Sequence, residues 1–218
     1  LIIYKSSQVL VDGGPDSRVL NCLSRHMPFW DRTLELVVLT HPQADHLPGV
    51  IDVIKRYNVS GFLATGVVND TEGFWRLREE VLDAGIPVSI LSRQDIVRFD
   101  GVELRVLWPG EKLGSKLVWQ RESGSTSRTG SQEVLGAAYS GDLNDTSIVL
   151  QLSLNKFDTL LTGDGSSGVE NQLAWEGGIE VLKVAHHGSK YSSGEDFLKK
   201  LVPDLAVISV GRNRFQKC

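Results

Sequence analysis

The segment THPQADHLPGV, residues 40–50, crowds two imidazoles and a carboxylate into six positions. His41, Asp45 and His46 follow directly after the apolar run Leu34–Leu39, and the chain holds only 5 histidines. Imidazole nitrogens and carboxylate oxygens are the ligands that zinc and other divalent metals prefer. The spacing therefore predicts a metal site where a buried strand ends.

Other apolar runs end in the same residue types. Asp12 follows VLV, Asp164 follows DTLLTG, and the pair His186 and His187 follows VLKVA. In a layered α/β protein, the carboxyl ends of buried strands hold side chains rigidly at one edge of the sheet. We expect these groups to meet the histidines of the first motif at that edge.

The spacing of the first motif suits two metal ions. His41 and Asp45 are four positions apart and Asp45 adjoins His46, so a tight turn would point His41 one way and the Asp45–His46 pair another. A carboxylate from Asp164 could bridge ions about 3.5–4 Å apart, the spacing used for in-line displacement at phosphorus. Asp12 is expected beside the centre, where it would accept a hydrogen bond from a ligand's ring N–H.

Hydrophobic periodicity predicts the elements that carry these residues. Two blocks of strands with helices interspersed imply two sheets packed face to face with helices outside. This is a four-layer αββα sandwich of the α/β class, although composition alone would also allow a doubly wound single sheet. The expected elements include a hairpin within residues 1–11, a strand over 34–40, helices over 47–58 and 71–85, hairpins turning at Asp100–Gly101 and near Asn155, a helix over 169–177, a strand over 179–185 and a helix over 193–202.

Length and charge set limits on the function. A chain of 218 residues favours a single hydrolase-sized domain over residues 1–218, and its abrupt ends suggest a piece of a longer protein. A net charge of −4 argues against binding nucleic acid by bulk charge. Two cysteines give no disulfide framework.

Residues 109–143 are rich in glycine and serine and lack periodicity, which predicts a long mobile loop. Its basic side chains could guide a phosphate backbone or could simply be solvated. Trp108 and Trp119 flank the same region and could either stack on bases or pack in the core.

The motifs together resemble the metallo-β-lactamase fold superfamily. The matching stretches are VDGG, THPQADH, LLTGD and VAHHGS. Within the superfamily, the chain is similar to the carboxyl-terminal domain of ComEC-like competence proteins, on HPQADH, on Asn144–Ser147 before a strand, on TGD and on HHGS. The resemblance runs from about Leu1 to Gly211.

This resemblance implies a fold, a cofactor and an activity. It implies an αββα sandwich that holds one or two divalent ions, zinc or manganese, and that hydrolyses its substrate by a metal-bound hydroxide. Because ComEC-like domains are thought to act on DNA during uptake, it also implies nucleic acid as the substrate. The chain would then be a soluble domain attached to the membrane-embedded remainder of its parent.

The chain departs from the superfamily pattern at two positions. Gln43 stands where the superfamily has its second histidine, and Asn144 lies in the region of the third. Both amides are weak ligands, so the first metal site keeps His41 and Asp164. Gln43 is placed with Asp12 among the residues that support the ligands.

The second site keeps Asp45, His46, Asp164 and one histidine of the 186–187 pair, and we expect it to fill first. We assign His187 to the metal, although the pattern does not decide which histidine ligates. The histidine that does not ligate would protonate the leaving oxygen. The candidate catalytic residues are therefore Asp45, His186 and His187.

Substrate binding is assigned to Gly188, Ser189 and Asn144. Gly188 and Ser189 offer N–H and hydroxyl donors just before a helix predicted to start near Ser192, and a helix N-terminus favours an anion.

Three functions compete on this sequence. The leading one is a metal-dependent nuclease or phosphodiesterase. The second keeps the fold but hydrolyses a β-lactam or lactone, and Gln43 argues against strong lactamase activity. The third is a metal-poor module that binds nucleic acid without turnover, which the weak ligands Gln43 and Asn144 would explain.

Overall fold

The computed structural model describes residues 1–121 and 139–211. Their strands, in chain order, are β1 (Ile2–Tyr4), β2 (Ser7–Val11), β3 (Thr33–Leu34), β4 (Leu36–Val38), β5 (Asn58–Val59), β6 (Phe62–Ala64), β7 (Val88–Ile90), β8 (Ile96–Phe99), β9 (Val102–Trp108), β10 (Val149–Leu154), β11 (Phe157–Leu161), β12 (Val181–Lys183) and β13 (Leu205–Val207). The α-helices are α1 (Arg18–His26), α2 (Pro48–Ile54), α3 (Glu72–Asp83), α4 (Ser167–Glu170) and α5 (Glu195–Leu201).

Two larger sheets carry the described fold. One has the order β1-β2-β4-β6-β7, and the other has the order β13-β12-β11-β10-β9-β8. Strands β2, β4, β6 and β7 run parallel, as do β11, β12 and β13. The carboxyl ends of β2 and β4 in one sheet, and of β11 and β12 in the other, are the ends that carry the predicted site residues.

Alternating side chains along the strands divide the interior into three apolar layers. Successive residues of a strand point to opposite faces, so Val37 packs under the helices of the first sheet while Val38 faces the second sheet. On β9 and β10, Leu104 and Leu150 fill the space between the sheets, whereas Val149 faces α4 and α5. Helices, two sheets and helices again are the predicted four-layer αββα sandwich, which is confirmed.

Most predicted elements are present with shifted ends. Thr71 caps α3 by accepting a hydrogen bond from the Phe74 amide, and the two hairpins turn at Asp100–Gly101 and Asn155 as predicted. The helix predicted over 47–58 ends at Ile54, and the one predicted over 169–177 is the short α4. Periodicity finds the buried face of an element better than its ends, because capping contacts decide the ends.

The predicted loop over residues 109–143 is described only in part, since residues 122–138 lie outside the described residues. Trp119 is buried, its ring packs near Phe62 and Phe74, and its indole N–H donates to the Thr65 carbonyl. Trp108 donates to the Asp145 carbonyl. Trp119 is therefore a packing residue of the core, and Trp108 packs, partly buried, against the apolar cluster that contains Val149.

None of the described helices combines the length and the apolar composition that crossing a bilayer requires.

Candidate metal centre

Four side chains from both sheets meet at the strand ends. One ligand atom from each of Asp45, His46, Asp164 and His187 lies within 4.8 Å of the other three. Asp45 and His46 come from the turn after β4, Asp164 follows β11, and His187 follows β12. Residues up to 142 positions apart are thus brought to one point, because parallel strands end at the same edge of each sheet.

Asp164 is the centre of this cluster and is fully buried. Its Oδ2 lies 3.2 Å from Nε2 of His46 and 3.2 Å from Nε2 of His187, while its Oδ1 faces Lys183 Nζ at 3.3 Å. Burial alone would raise the pKa of Asp164, but the hydrogen bonds from His187 and His46 and the charge of Lys183 hold it well below its usual range. Asp164 is therefore a carboxylate throughout the working pH range.

The backbone before Asp164 requires glycine. Gly163 has a φ of +55°, and a Cβ there would lie 2.7 Å from Cβ of Ser147. The Asp164 amide donates to the Ser147 hydroxyl over 3.0 Å. The TGD motif thus places Asp164 beside Ser147, just before β10. Residue 163 must be glycine because there is no room for a side chain at that position.

Asp12 holds His46 in one orientation. Its Oδ2 accepts a hydrogen bond from His46 Nδ1 over 2.8 Å, as the sequence predicted for a supporting residue. Because Nδ1 carries the proton of that bond, Nε2 of His46 is the nitrogen that points at Asp164. Burial alone would raise the pKa of Asp12, but the hydrogen bond and charge of His46 hold it below its usual value.

His187 is oriented in the same way by a backbone carbonyl. Its Nδ1 donates to the Ser209 carbonyl over 2.6 Å, which leaves Nε2 facing Asp164 and Asp45. His186, His187 and Gly188 have positive φ angles of 47°, 55° and 81°. Left-handed backbone at two histidines in succession is unfavourable, and such strain is concentrated at functional sites.

Thr40 links Asp12 to the remaining histidine of the motif. The Thr40 hydroxyl donates to Asp12 Oδ2 over 2.8 Å, so the hydroxyl oxygen must accept from His41 Nδ1, 3.0 Å away. His41 is therefore protonated at Nδ1 and has an unshared electron pair on Nε2. Burial, together with the neighbouring charge of His46, lowers the pKa of His41 and keeps it neutral.

These observations fit a divalent ion. Nε2 of His41 is buried and has no hydrogen-bond partner among the described residues, and the same is true of Asn144 Oδ1. The four clustered groups place two imidazole nitrogens and two carboxylates around one point, which is the donor set that zinc and manganese accept. His41 lies beside this cluster, with its ring centroid 4.2 Å from that of His46.

Thr40 offers a direct test of the hydrogen-bond chain. Thr40→Val keeps the shape but removes the hydroxyl, so we expect His41 to lose its fixed proton position and metal affinity to fall about 10–100-fold. Thr40→Ser should retain both properties. Imidazole nitrogen chemical shifts report the proton position, and a metal titration reports affinity. A valine variant with wild-type shifts and affinity would show that the hydroxyl has no such role.

Protons and metal ions should compete for the cluster. Burial would lower the pKa of His46, but Asp12 and Asp164 raise it to about 10, and the hydrogen bond to Asp164 raises the pKa of His187. His46 therefore carries an extra proton in the metal-free protein at neutral pH, the raised pKa of His187 widens the range over which its ring is also protonated, and a metal at Nε2 must displace such a proton. Metal affinity should therefore rise with pH up to about pH 10.

Calorimetry measures this competition directly. At neutral pH the binding enthalpy should change with the ionisation enthalpy of the buffer, and the slope should give release of one to two protons. A slope of zero would mean that these histidines are not the ligands.

The other predicted residues lie around this centre. Asn144 is in a 3₁₀ turn, and its carbonyl accepts from the amide of Ser147, whose hydroxyl holds Asp164. The Gln43 carbonyl accepts from the amides of His46 and Leu47 and so shapes the turn. These contacts place both residues at the centre but do not assign them a role there.

The predicted helix start near Ser192 is wrong. Helix α5 begins at Glu195, and the amides of Ser193 and Gly194 donate to the two carboxylate oxygens of the buried Glu170. An internal carboxylate thus already takes the place that an anionic substrate would need. Periodicity could not show this, because Glu170 lies more than twenty positions earlier in the chain.

The loop before α5 still offers donors. The Ser189 amide donates to the His186 carbonyl, and its hydroxyl accepts from the amide of Tyr191. Gly188 ends the 3₁₀ turn Ala185–Gly188, and from this loop the Ser189 hydroxyl proton has no acceptor among the described hydrogen bonds.

Sequence reasoning missed two residues of this centre, Lys183 and Thr40. Lys183 stands alone among apolar residues in VLKVA, a signal that its charge meets a partner, and its Nζ binds both Asp164 and the Gly163 carbonyl. Thr40 precedes the first histidine directly, but nothing in the sequence indicates its bond to Asp12.

Comparison with known proteins agrees with this fold and centre. A family model for the metallo-beta-lactamase superfamily matches residues 1–212. ComE operon protein 3 of Bacillus subtilis is 27% identical over 191 residues, which cover 84% of this chain and 20% of that protein. Recombination protein 2 of Haemophilus influenzae is 44% identical over 70 residues, which cover 32% of this chain and 9% of that protein.

The chain spans about a fifth or less of the length of these curated relatives. Among solved structures, the metallo-beta-lactamase fold protein YhfI from Bacillus subtilis aligns with a TM-score of 0.51 at 12% identity, covering 94% of this chain and 76% of that one. At this identity the likeness concerns the fold. Because the family model spans nearly the whole chain, this protein belongs to the metallo-β-lactamase superfamily.

Proposed function

We propose that this chain is a metal-dependent hydrolase that cleaves phosphodiester bonds in nucleic acid. The observation that carries the proposal is the convergence of four ligand atoms within 4.8 Å at the strand ends of both sheets. Membership of a superfamily with hydrolases supports the reaction class, and the ComEC-like motifs support the substrate class.

Asp45, His46, Asp164 and His187 would hold one ion, and His41 with Asp164 would hold a second. A divalent ion at this point lowers the pKa of bound water and offsets charge that develops on a phosphoryl oxygen. The protein's own part is to hold the ligand atoms in place. Asp12, Ser209 and Thr40 do so by fixing which ring nitrogen of each histidine carries a proton.

The exposure of the ligands indicates the side from which substrate enters. The side chains of Asp164 and His46 are 0% and 5% exposed, whereas those of Asp45 and His187 are 49% and 35% exposed. Substrate would therefore arrive over Asp45 and His187, next to Gly188 and Ser189, and the Ser189 hydroxyl would bind a phosphate oxygen. His186 lies beside this entrance and would protonate the leaving oxygen.

The proposal extends to the context of the chain. Residues 1–218 would form one hydrolase domain of a longer protein, and the rest of that protein would anchor it at a membrane.

A cleavage assay tests the proposed function. Purified protein is incubated with single-stranded DNA, double-stranded DNA or RNA, with Mn²⁺ or Zn²⁺, and with a chelator. We expect metal-dependent cleavage that the chelator stops and that Asp83→Asn, a change at the exposed carboxylate that ends α3, leaves intact.

Two parallel assays separate the competing functions. Hydrolysis of a chromogenic lactam without nucleic-acid cleavage would replace the proposed function with the lactam or lactone one. Metal content well below one ion per chain after metal loading, with nucleic acid bound but uncut, would favour the metal-poor binding module.

A further inference from the structure

Two aromatic side chains project from the loop between α1 and β3. Phe29 is 85% exposed and Trp30 is 74% exposed, the highest values among the large hydrophobic side chains of the described residues. Placing two adjacent aromatic rings in water is unfavourable for a protein that has no use for them there. We call Phe29 and Trp30 the aromatic tip.

A structured turn holds the aromatic tip outward. The Asp31 amide donates to the Pro28 carbonyl over 3.0 Å, and the Asp31 carboxylate accepts from Gln8 Nε2 and from the Thr33 amide. The two rings of the tip meet edge to face with centroids 4.8 Å apart. Because the turn is ordered in this way, binding through the tip would lose little conformational entropy.

The aromatic tip lies away from the metal centre. It precedes β3 and β4, so it lies where the parallel strands of the first sheet begin, whereas Thr40 and His46 lie where β4 ends. The tip is therefore not part of the metal centre, and its exposed rings call for an occupant of their own.

The surroundings of the tip are basic. A cavity of about 290 Å³ beside Phe29 is lined in part by Arg32, Arg56 and Tyr57, with the Arg32 guanidinium 5.7 Å from the centre of the Tyr57 ring. Arg25 lies in the last turn of α1, the helix that leads to the tip. Asp31 also lines the cavity, but its carboxylate is engaged by Gln8 and Thr33. The cationic groups are the ones available to an anionic partner.

We infer that the aromatic tip docks this protein on the surface of an anionic lipid bilayer. Tryptophan and phenylalanine partition into the region between headgroups and acyl chains, and arginines beside them bind lipid phosphates. A tip of two rings is too small for a stable protein interface, which buries about 1,000 Å² or more. In this pose the metal centre would face away from the bilayer and stay open to aqueous substrate.

Sedimentation with vesicles tests the inference on the 218-residue chain. Vesicles of phosphatidylcholine with about one-third phosphatidylglycerol should bind it, and pure phosphatidylcholine should bind it much less. Phe29→Ser combined with Trp30→Ser should weaken binding at least about tenfold. Arg32→Gln combined with Arg56→Gln should do so by about the same factor, for the anionic vesicles only.

The matched control is Tyr191→Ser, which removes another exposed ring at the metal-centre end of the molecule and should leave binding unchanged. All changed residues are at the surface, so circular dichroism should show an intact fold. Lack of binding to anionic vesicles, or equal binding by the tip variant, would overturn the inference. Self-association that depends on the tip, without lipid binding, would overturn it in favour of a protein partner.

Discussion

Asp164→Asn should lower metal affinity by more than about 100-fold and abolish metal-dependent hydrolysis. Asp164 Oδ2 is the atom toward which both His46 and His187 point, so its charge is what makes the cluster attractive to a cation. The amide has nearly the same shape and no charge. Calorimetric titration with Zn²⁺ or Mn²⁺ measures the effect.

The same variant should also destabilise the metal-free protein by about 3–5 kcal/mol, because a fully buried carboxylate is removed from three cationic neighbours. Chemical denaturation in chelator measures this change. The matched control is Asp83→Asn, which removes a surface carboxylate that pairs with Arg121 and should change neither property. Wild-type metal affinity in Asp164→Asn would show that the ion binds elsewhere.

Gly49→Ala should destabilise the fold by about 3 kcal/mol or more and weaken metal binding as well. A Cβ at Gly49 would lie 2.0 Å from the Gly13 carbonyl oxygen. That oxygen belongs to the backbone, so it cannot rotate away from the added methyl group. The amides of Gly13 and Gly49 donate to the carbonyls of His46 and Gly14 at this same crossing. Forcing the two segments apart would separate Asp12 from His46.

Gly73→Ala is the matched control. Gly73 lies in helix α3, and a Cβ there would meet only the flexible Leu47 side chain at 3.3 Å. Alanine is a better helix former than glycine, so stability should stay equal or rise by up to about 1 kcal/mol. If Gly49→Ala unfolded at the same denaturant concentration as wild type, the close approach would not matter to the fold.

The strand-end positions of the site could be predicted because the signal is local. Asp12, His41, Asp164 and His187 each come shortly after a mainly apolar run, and parallel strands bring such positions to one edge. The order of strand and helix patterns was compatible with the four-layer arrangement and with a doubly wound single sheet, and the resemblance to the superfamily motifs favoured the four-layer one.

What the sequence could not show depends on contacts between distant residues. Lys183 meets the Gly163 carbonyl 20 positions away, and Thr40 meets Asp12 28 positions away. Glu170 accepts hydrogen bonds from the two amides just before α5. The helix therefore starts later than predicted, and the anion site predicted at its start is already filled. Such bonds leave no periodic pattern, so only the folded chain reveals them.

The charges around Asp164 explain why the centre attracts a cation. In the metal-free protein, His46, His187 and Lys183 surround Asp164, and the proton on His46 and the Lys183 ammonium group balance the buried carboxylate. A divalent ion can replace the histidine protons without changing the hydrogen bonds at the outer ring nitrogens. Asp12 and the Ser209 carbonyl therefore keep the histidines oriented for a cation without contacting the cation themselves.

Anomalous X-ray scattering from crystals soaked with Zn²⁺ or Mn²⁺ tests the metal centre most directly. We expect a peak about 2.0–2.3 Å from Nε2 of His46, Nε2 of His187 and Oδ2 of Asp164, with Asp45 on its exposed side. A second, weaker peak beside Nε2 of His41 would show the two-ion form. A fully loaded crystal with no peak among these four side chains would contradict the metal centre and the hydrolase that rests on it.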